Sequence, residues 1–149
     1  MPLPSDRLKR AVKILPLMPA VFLWAAVAEV GLHRTTLVRL CRFMGVRLLL
    51  EAPEPTSRHA RVHDVSSHDQ TRLRAVRVLY RHWPAARERQ CLRYALVAGR
   101  LLRRSDPCLR IGVNRVNGHF LAHAWLVLPG DLQLDSAAAL YLPLVTSPA

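Results

Sequence analysis

The chain has 149 residues, of which 51% are hydrophobic and 21% charged, and its formal net charge is +12. That length suits one domain with a real core, and the composition excludes a disordered or fibrous chain. The positive excess is almost wholly arginine, which suits acidic peptides, nucleic acid or an anionic membrane surface; a GC-rich coding bias produces the same surface without any such partner. Cys41, Cys91 and Cys108 form no CxxC and no metal-ligand spacing, and their odd number argues against a disulfide framework. A reduced, cytoplasmic chain with free thiols is expected.

Arg7, Lys9, Arg10 and Lys13 precede an apolar run from Ile14 to Ala28, and Ala26-Val27-Ala28 has the form of a signal cleavage site. Pro16 and Pro19 interrupt the run, which is shorter than the ~20 apolar residues of a spanning helix. A buried or partner-facing helix is the first reading, with peripheral membrane contact and a secretory signal as alternatives. Pro19 to Leu32 is nearly all apolar, so a helix there should be covered on most sides. A second helix is predicted from Thr35 to Leu50, where Leu37, Leu40, Cys41, Met44 and Leu48 recur at helical steps. The prolines between Glu51 and Ser57 break the pattern, which makes the first fifty residues or so a helical hairpin.

His59, His63 and His68 have no acidic or cysteine partner arranged with them, and they read as exposed loop histidines rather than metal ligands. A third helix is predicted from Asp69 to His82, capped by Ser67 or Asp69, with Leu73, Val76, Leu79 and Tyr80 facing inward. Pro84 ends it. A fourth helix should run from Gln90 to Arg104, with Leu92, Ala95, Leu96, Gly99 and Leu102 as its apolar stripe. Cys108 to Asn114 then alternates like a strand, Val116-Asn117-Gly118 carries a hairpin signal, and His119 to Leu128 is a second strand. Pro129-Gly130 marks a turn before a third strand, Leu132 to Ser136; Ala137 to Ala149 shows no pattern. Helices followed by an antiparallel meander imply an α+β fold, divided into a helical region 1–57 and a domain 58–149.

Chemistry concentrates on Cys91, in the first turn of the fourth helix, and on His123 and Asp135 in the two strands after it. A helix start aims unpaired N–H groups and the positive end of the dipole at the sulfur, which favours a thiolate. An imidazole can take the thiol proton and pass it to a leaving amine, while a carboxylate on the far ring nitrogen holds the tautomer. A loop of Leu128-Pro129-Gly130 would set His123 directly opposite Asp135, within reach of a hydrogen bond. A slip of one residue would turn Asp135 to the other face. The plain alternatives are a buried cysteine at a helix start and a hydrogen-bonded core histidine. His119 shares the strand face of His123 and competes for its role; Asp131 is a second carboxylate, better explained as a turn residue. The oxyanion donors would be the backbone N–H of Cys91 and the Gln90 side chain.

Gln90-Cys91-Leu92-Arg93, Leu101-Leu102-Arg103-Arg104, Leu109 to Val113 and Ala122-His123-Ala124-Trp125 occur in that order with short gaps. Over about Leu73 to Asp135 the set resembles the leader peptidases of lasso-peptide biosynthesis. The resemblance implies a transglutaminase-like, papain-like core in which a cysteine-bearing helix packs on an antiparallel sheet. It makes Cys91 the nucleophile, His123 the base and Asp135 the orienting acid. The implied activity is removal of the leader from a precursor peptide, with no cofactor expected and the effect of ATP on cleavage left open by the sequence. A separate ATP-using, asparagine-synthetase-like cyclase then acts on the freed core. The first sixty residues lack the strand-rich pattern of a leader-binding winged-helix domain, so the resemblance is to the split, protease-only form, with that recognition protein supplied in trans. Where relatives often carry an acidic residue soon after the tryptophan, this chain continues Leu126-Val127-Leu128. Acyl transfer to an amine on the same fold, and a non-catalytic or membrane-associated scaffold, are the competing functions. A nucleic-acid partner rests on charge alone, without a motif, and is not expected.

Overall fold

The computed structural model describes residues 12–50, 65–83 and 90–144, in which four helices meet one mixed sheet in an α+β arrangement. Helix α1, Met18–Arg34, follows a 3-10 turn at Leu15–Leu17. Pro16 and Pro19 each sit at the start of their element, where a missing N–H costs nothing. The helix buries only Val21, Ala25 and Ala28, while Phe22, Leu23 and Val30 remain exposed. Coverage on most sides is therefore corrected: among the described residues, the other helices pack on one stripe of α1, with Trp24 and Val27 half-buried at its border. Val12–Arg34 has the length and apolar character needed to cross a membrane, as buried core helices and signal sequences also do.

Helix α2, Leu37–Met44, stops well short of the predicted Leu50. Gly45 takes the left-handed conformation, φ 70°, that closes a helix and favours glycine. Val46 turns inward, and Arg47–Leu49 becomes strand β1, paired in parallel with Cys108–Arg110. Helical spacing of the leucines hid this strand, whose partner lies about sixty residues away.

Helix α3, Ser67–His82, is capped by Ser66, whose Oγ accepts from the Asp69 N–H at 3.1 Å. The cap is thus one residue before the expected Ser67, and Asp69 lies within the first turn. His68 is exposed on this helix rather than in a loop; His59 and His63 lie outside the described residues. Ala75, Val76, Leu79 and Tyr80 form its buried side, with Leu73 half-buried beside them. Helix α4, Gln90–Leu101, buries Ala95, Leu96 and Gly99, then tightens into a 3-10 turn at Arg103–Ser105 instead of continuing to Arg104. A Cβ on Gly99 would stand 2.6 Å from Val46 Cγ2, so α4 approaches the start of β1 at a distance only glycine permits. Behind α4, Arg93 donates to Glu29 of α1 through Nε at 2.6 Å and Nη2 at 2.9 Å, a forked ion pair between the two helices.

Strands β2, Cys108–Val116, and β3, His119–Leu128, form the long hairpin through Asn117 and Gly118, both at positive φ. Strand β4 is only Leu132–Gln133, shorter than the expected Leu132 to Ser136. Asp135 leaves the ladder to cap a 3-10 turn, Ser136–Leu140. The apparently patternless tail then supplies β5, Leu142–Pro143, which pairs with Gly112 and Val113. Proline is accommodated because β5 is an edge strand. The order is β1-β2-β3-β4, with β1 and β5 sharing one edge of β2.

The sheet separates two cores. Leu109, Ile111, Ala124 and Leu126 face the helices and join the main cluster. Trp125 and Val127 point the other way and pack with Ala138 and Tyr141. Arg110, register partner of Trp125, lies on that second side and is 2% exposed.

Candidate active site

Cys91 is the second residue of α4, half-buried and free. The other two thiols lie elsewhere in the packing. Burial pushes Cys41 up to about 11, and burial is also the main cause raising Cys108. A thiol held that way stays protonated and inert. Only Cys91 opens on a cleft, of about 430 Å3, whose wall also includes His123 and Asp135.

His123 Nε2 lies 2.7 Å from Asp135 Oδ2, and Asp135 Oδ1 accepts the Ala137 N–H at 2.9 Å. Both carboxylate oxygens are thereby engaged, so Asp135 is fixed in orientation. A carboxylate acceptor assigns the proton to Nε2 when the ring is neutral, which leaves Nδ1 as the basic nitrogen. The ring is held between aromatic neighbours: Tyr141 stacks at 4.9 Å between centroids and Trp125 at 6.0 Å. Gly112 makes room for this arrangement. A Cβ there would meet the Trp125 ring at 2.8 Å and the Leu142 carbonyl at 2.8 Å. The glycine of Ile111-Gly112-Val113 thus lets an indole lie over β2 beside the histidine.

The route to the His123–Asp135 contact differs from the expected one. Leu128 pairs with Leu132, so the loop is Pro129-Gly130-Asp131 and the register is two residues from that expected. Two residues preserve the face, whereas one would have reversed it. Asp135 consequently reaches His123 on the diagonal instead of from directly opposite. The backbone bond from the Leu134 N–H to the Leu126 carbonyl, 3.0 Å, guides it there after β4 has ended.

Cys91 and His123 come from different sides of the sheet: α4 packs on the Ala124 and Leu126 face, while His123 shares the face of Trp125. They meet at the cleft beyond the short edge strand, without a direct hydrogen bond among the described residues. Such contacts often tighten only when substrate is bound. Gln90 sits beside Cys91, but its Nε2 donates to the Tyr80 carbonyl. That carbonyl belongs to the last turn of α3, where helix acceptors lack partners. Gln90 therefore clamps α3 to α4. His119 is exposed at the hairpin end and lies outside the cleft wall, and Asp131 is a turn residue at φ 56°. Among the described residues, no group of three or more His, Cys, Asp or Glu side chains could hold a metal ion.

Sequence reasoning missed Arg77, Arg81 and Tyr94 on the cleft wall and Tyr141 against the imidazole. The arginines could have been found from their four-residue spacing on α3; Tyr141 sat in the unpatterned tail. Burial is the main cause raising the Tyr94 phenol above its ordinary value.

A family model of the transglutaminase-like superfamily matches residues 28–146. The chain belongs to the transglutaminase-like superfamily. The match begins within α1 and takes in Cys91, His123 and Asp135. The superfamily includes cysteine peptidases and acyltransferases, both of which work through a cysteine thiolate. Comparison with curated proteins gave no match, and comparison with solved structures gave none.

Proposed function

We propose that this protein is a cysteine peptidase that removes the leader from a lasso-peptide precursor. The observation that carries the peptidase reading is the His123–Asp135 pair, 2.7 Å apart, on the wall of the cleft that holds the helix-start thiol of Cys91. The ordered motifs from Gln90 to Trp125 support the choice of substrate.

His123 Nδ1 takes the Cys91 proton, and the thiolate adds to the scissile carbonyl. The resulting oxyanion is met by the Cys91 backbone N–H, while the Gln90 side-chain amide, the other sequence candidate, is held on the Tyr80 carbonyl. The tetrahedral intermediate collapses to a thioester as the imidazolium gives its proton to the leaving amine. Water, deprotonated by His123, then attacks the thioester and releases the new carboxyl group and the thiol. Asp135 holds the tautomer throughout. No cofactor enters these steps. The cytoplasmic chain works with a leader-binding winged-helix protein in trans, and a separate ATP-using cyclase takes the freed core peptide. Region 1–57 serves the protease domain, 58–149, as a contact surface for these partners or for a membrane.

Acyl transfer is the second reading, favoured by a superfamily in which the same thioester can meet an amine. Mass spectrometry separates the two in one assay of precursor, recognition protein and full chain. Hydrolysis adds water across the fragments, whereas transfer forms a new amide. Cys91→Ala should fold and cleave nothing; retained cleavage would end the proposal.

A further inference from the structure

The cleft has a wall that the cysteine chemistry leaves unused. Arg77 and Arg81 stand one turn apart on α3 and line the space that holds Cys91 and His123. Both are exposed, and neither has a carboxylate partner among the described residues. Elsewhere on the helices, Arg72 pairs with Asp69 at 3.3 Å and Arg93 with Glu29 at 2.6 Å. Among the described residues, the one carboxylate on the cleft wall is Asp135, already bonded to His123 and to the Ala137 N–H. Tyr94 lies between these groups, interacting with Arg77 on one side and with the Asp135 charge on the other. Two guanidinium groups without a carboxylate partner among the described residues therefore face a small cleft in which the Asp135 charge is already engaged.

We propose that Arg77 and Arg81 form an acidic-residue subsite, which draws an Asp or Glu side chain of the peptide substrate beside the Cys91 thiol. The guanidinium forks match carboxylate geometry, and a cleft walled by one sign of charge concentrates the opposite sign within it. The arginines take no part in bond making; they bind. The inference rests on Cys91 being the reactive group of an open cleft, and its test keeps the two readings apart.

The full chain is alkylated with iodoacetate, an anion, and in parallel with iodoacetamide, its neutral counterpart, and labelling of Cys91 is followed by peptide mass spectrometry. Cys41 and Cys108 are buried and act as internal blanks. The rate ratio, iodoacetate to iodoacetamide, should fall by about threefold to tenfold in Arg77→Gln/Arg81→Gln, since any change in the thiolate fraction slows both reagents alike and cancels in the ratio. Arg77→Lys/Arg81→Lys should keep most of the preference, and added salt should erode it in the wild type. An unchanged ratio in the Gln variant would overturn the subsite while leaving the nucleophile intact. Failure of wild-type Cys91 to react with either reagent would remove the nucleophile and the subsite with it. End-blocked peptides carrying Glu should protect Cys91 better than the same peptides carrying Gln. Protection by Gln peptides only when their carboxy terminus is free would reassign the arginines to chain-end recognition and overturn the side-chain proposal.

Discussion

The two faces of the sheet are built from neighbouring residues of the same strands, and they differ in almost every physical respect. Toward the helices, Leu109, Ala124 and Leu126 meet Leu96, Val97 and Ala98 in a dry apolar layer. Away from them, Trp125 and Val127 share their side with Arg110, Gln133 and His123. Apart from Arg93 Nη1, the described buried side-chain atoms without a hydrogen-bond partner belong to this second face: Arg110 Nε and Nη1, Trp125 Nε1 and Gln133 Oε1. A stability-driven face avoids such atoms, because each unpaired buried group costs free energy. One face of the hairpin thus holds the molecule together, and the other aims the imidazole. Strand alternation makes the division possible, since adjacent residues can serve unrelated purposes.

Exchanging the damage between faces tests that division. On the functional face, His123→Ala should lower cleavage by about 10²- to 10⁴-fold, the range for a positioned general base. It should cost no more than about 2 kcal/mol of stability, the scale of its lost hydrogen bond. Cleavage kinetics beside urea denaturation would read both quantities. On the structural face, Leu96→Ala, at a fully buried position of α4, should cost about 2–5 kcal/mol while the folded fraction keeps its turnover. If Leu96→Ala instead spared stability and stopped turnover, the division would collapse.

The Glu29–Arg93 pair, a polar exception on the helix side, gives the smallest of these effects. Glu29→Gln should cost about 2 kcal/mol, as for a hydrogen bond between charged groups. The hydrogen bond from Arg93 is the main cause holding the Glu29 carboxyl below its ordinary 4.5. A carboxyl depressed in the folded state stabilises the fold above its unfolded pKa. That contribution disappears as pH falls through the lower, folded value. Wild type should therefore lose its advantage over Glu29→Gln below about pH 4.5, and the two thermal melting curves should converge there.

Local chemistry was legible where one segment carried its own signal. Asn117-Gly118 announced the hairpin, and the apolar stripe placed Ala95, Leu96 and Gly99 in the core. Cys91, His123 and Asp135 were singled out by residue type and order, and all three line one cleft. What misled the reading depended on distant partners. Leu48 kept helical spacing yet lies in β1, because β2 offered backbone groups to pair with. Tyr141 carried no periodic signal, yet its ring stacks on His123.

The sequence by itself determined the helices-then-hairpin order, the strand faces and the candidate nucleophile, since periodicity, turn chemistry and capping act over a few residues. Tertiary structure decided the two-residue register difference at Asp135, the clamp from Gln90 to Tyr80 and the meeting of α3 arginines with the thiol. Those outcomes depend on which surfaces close over one another, and burial is a property of the assembled chain rather than of any segment within it.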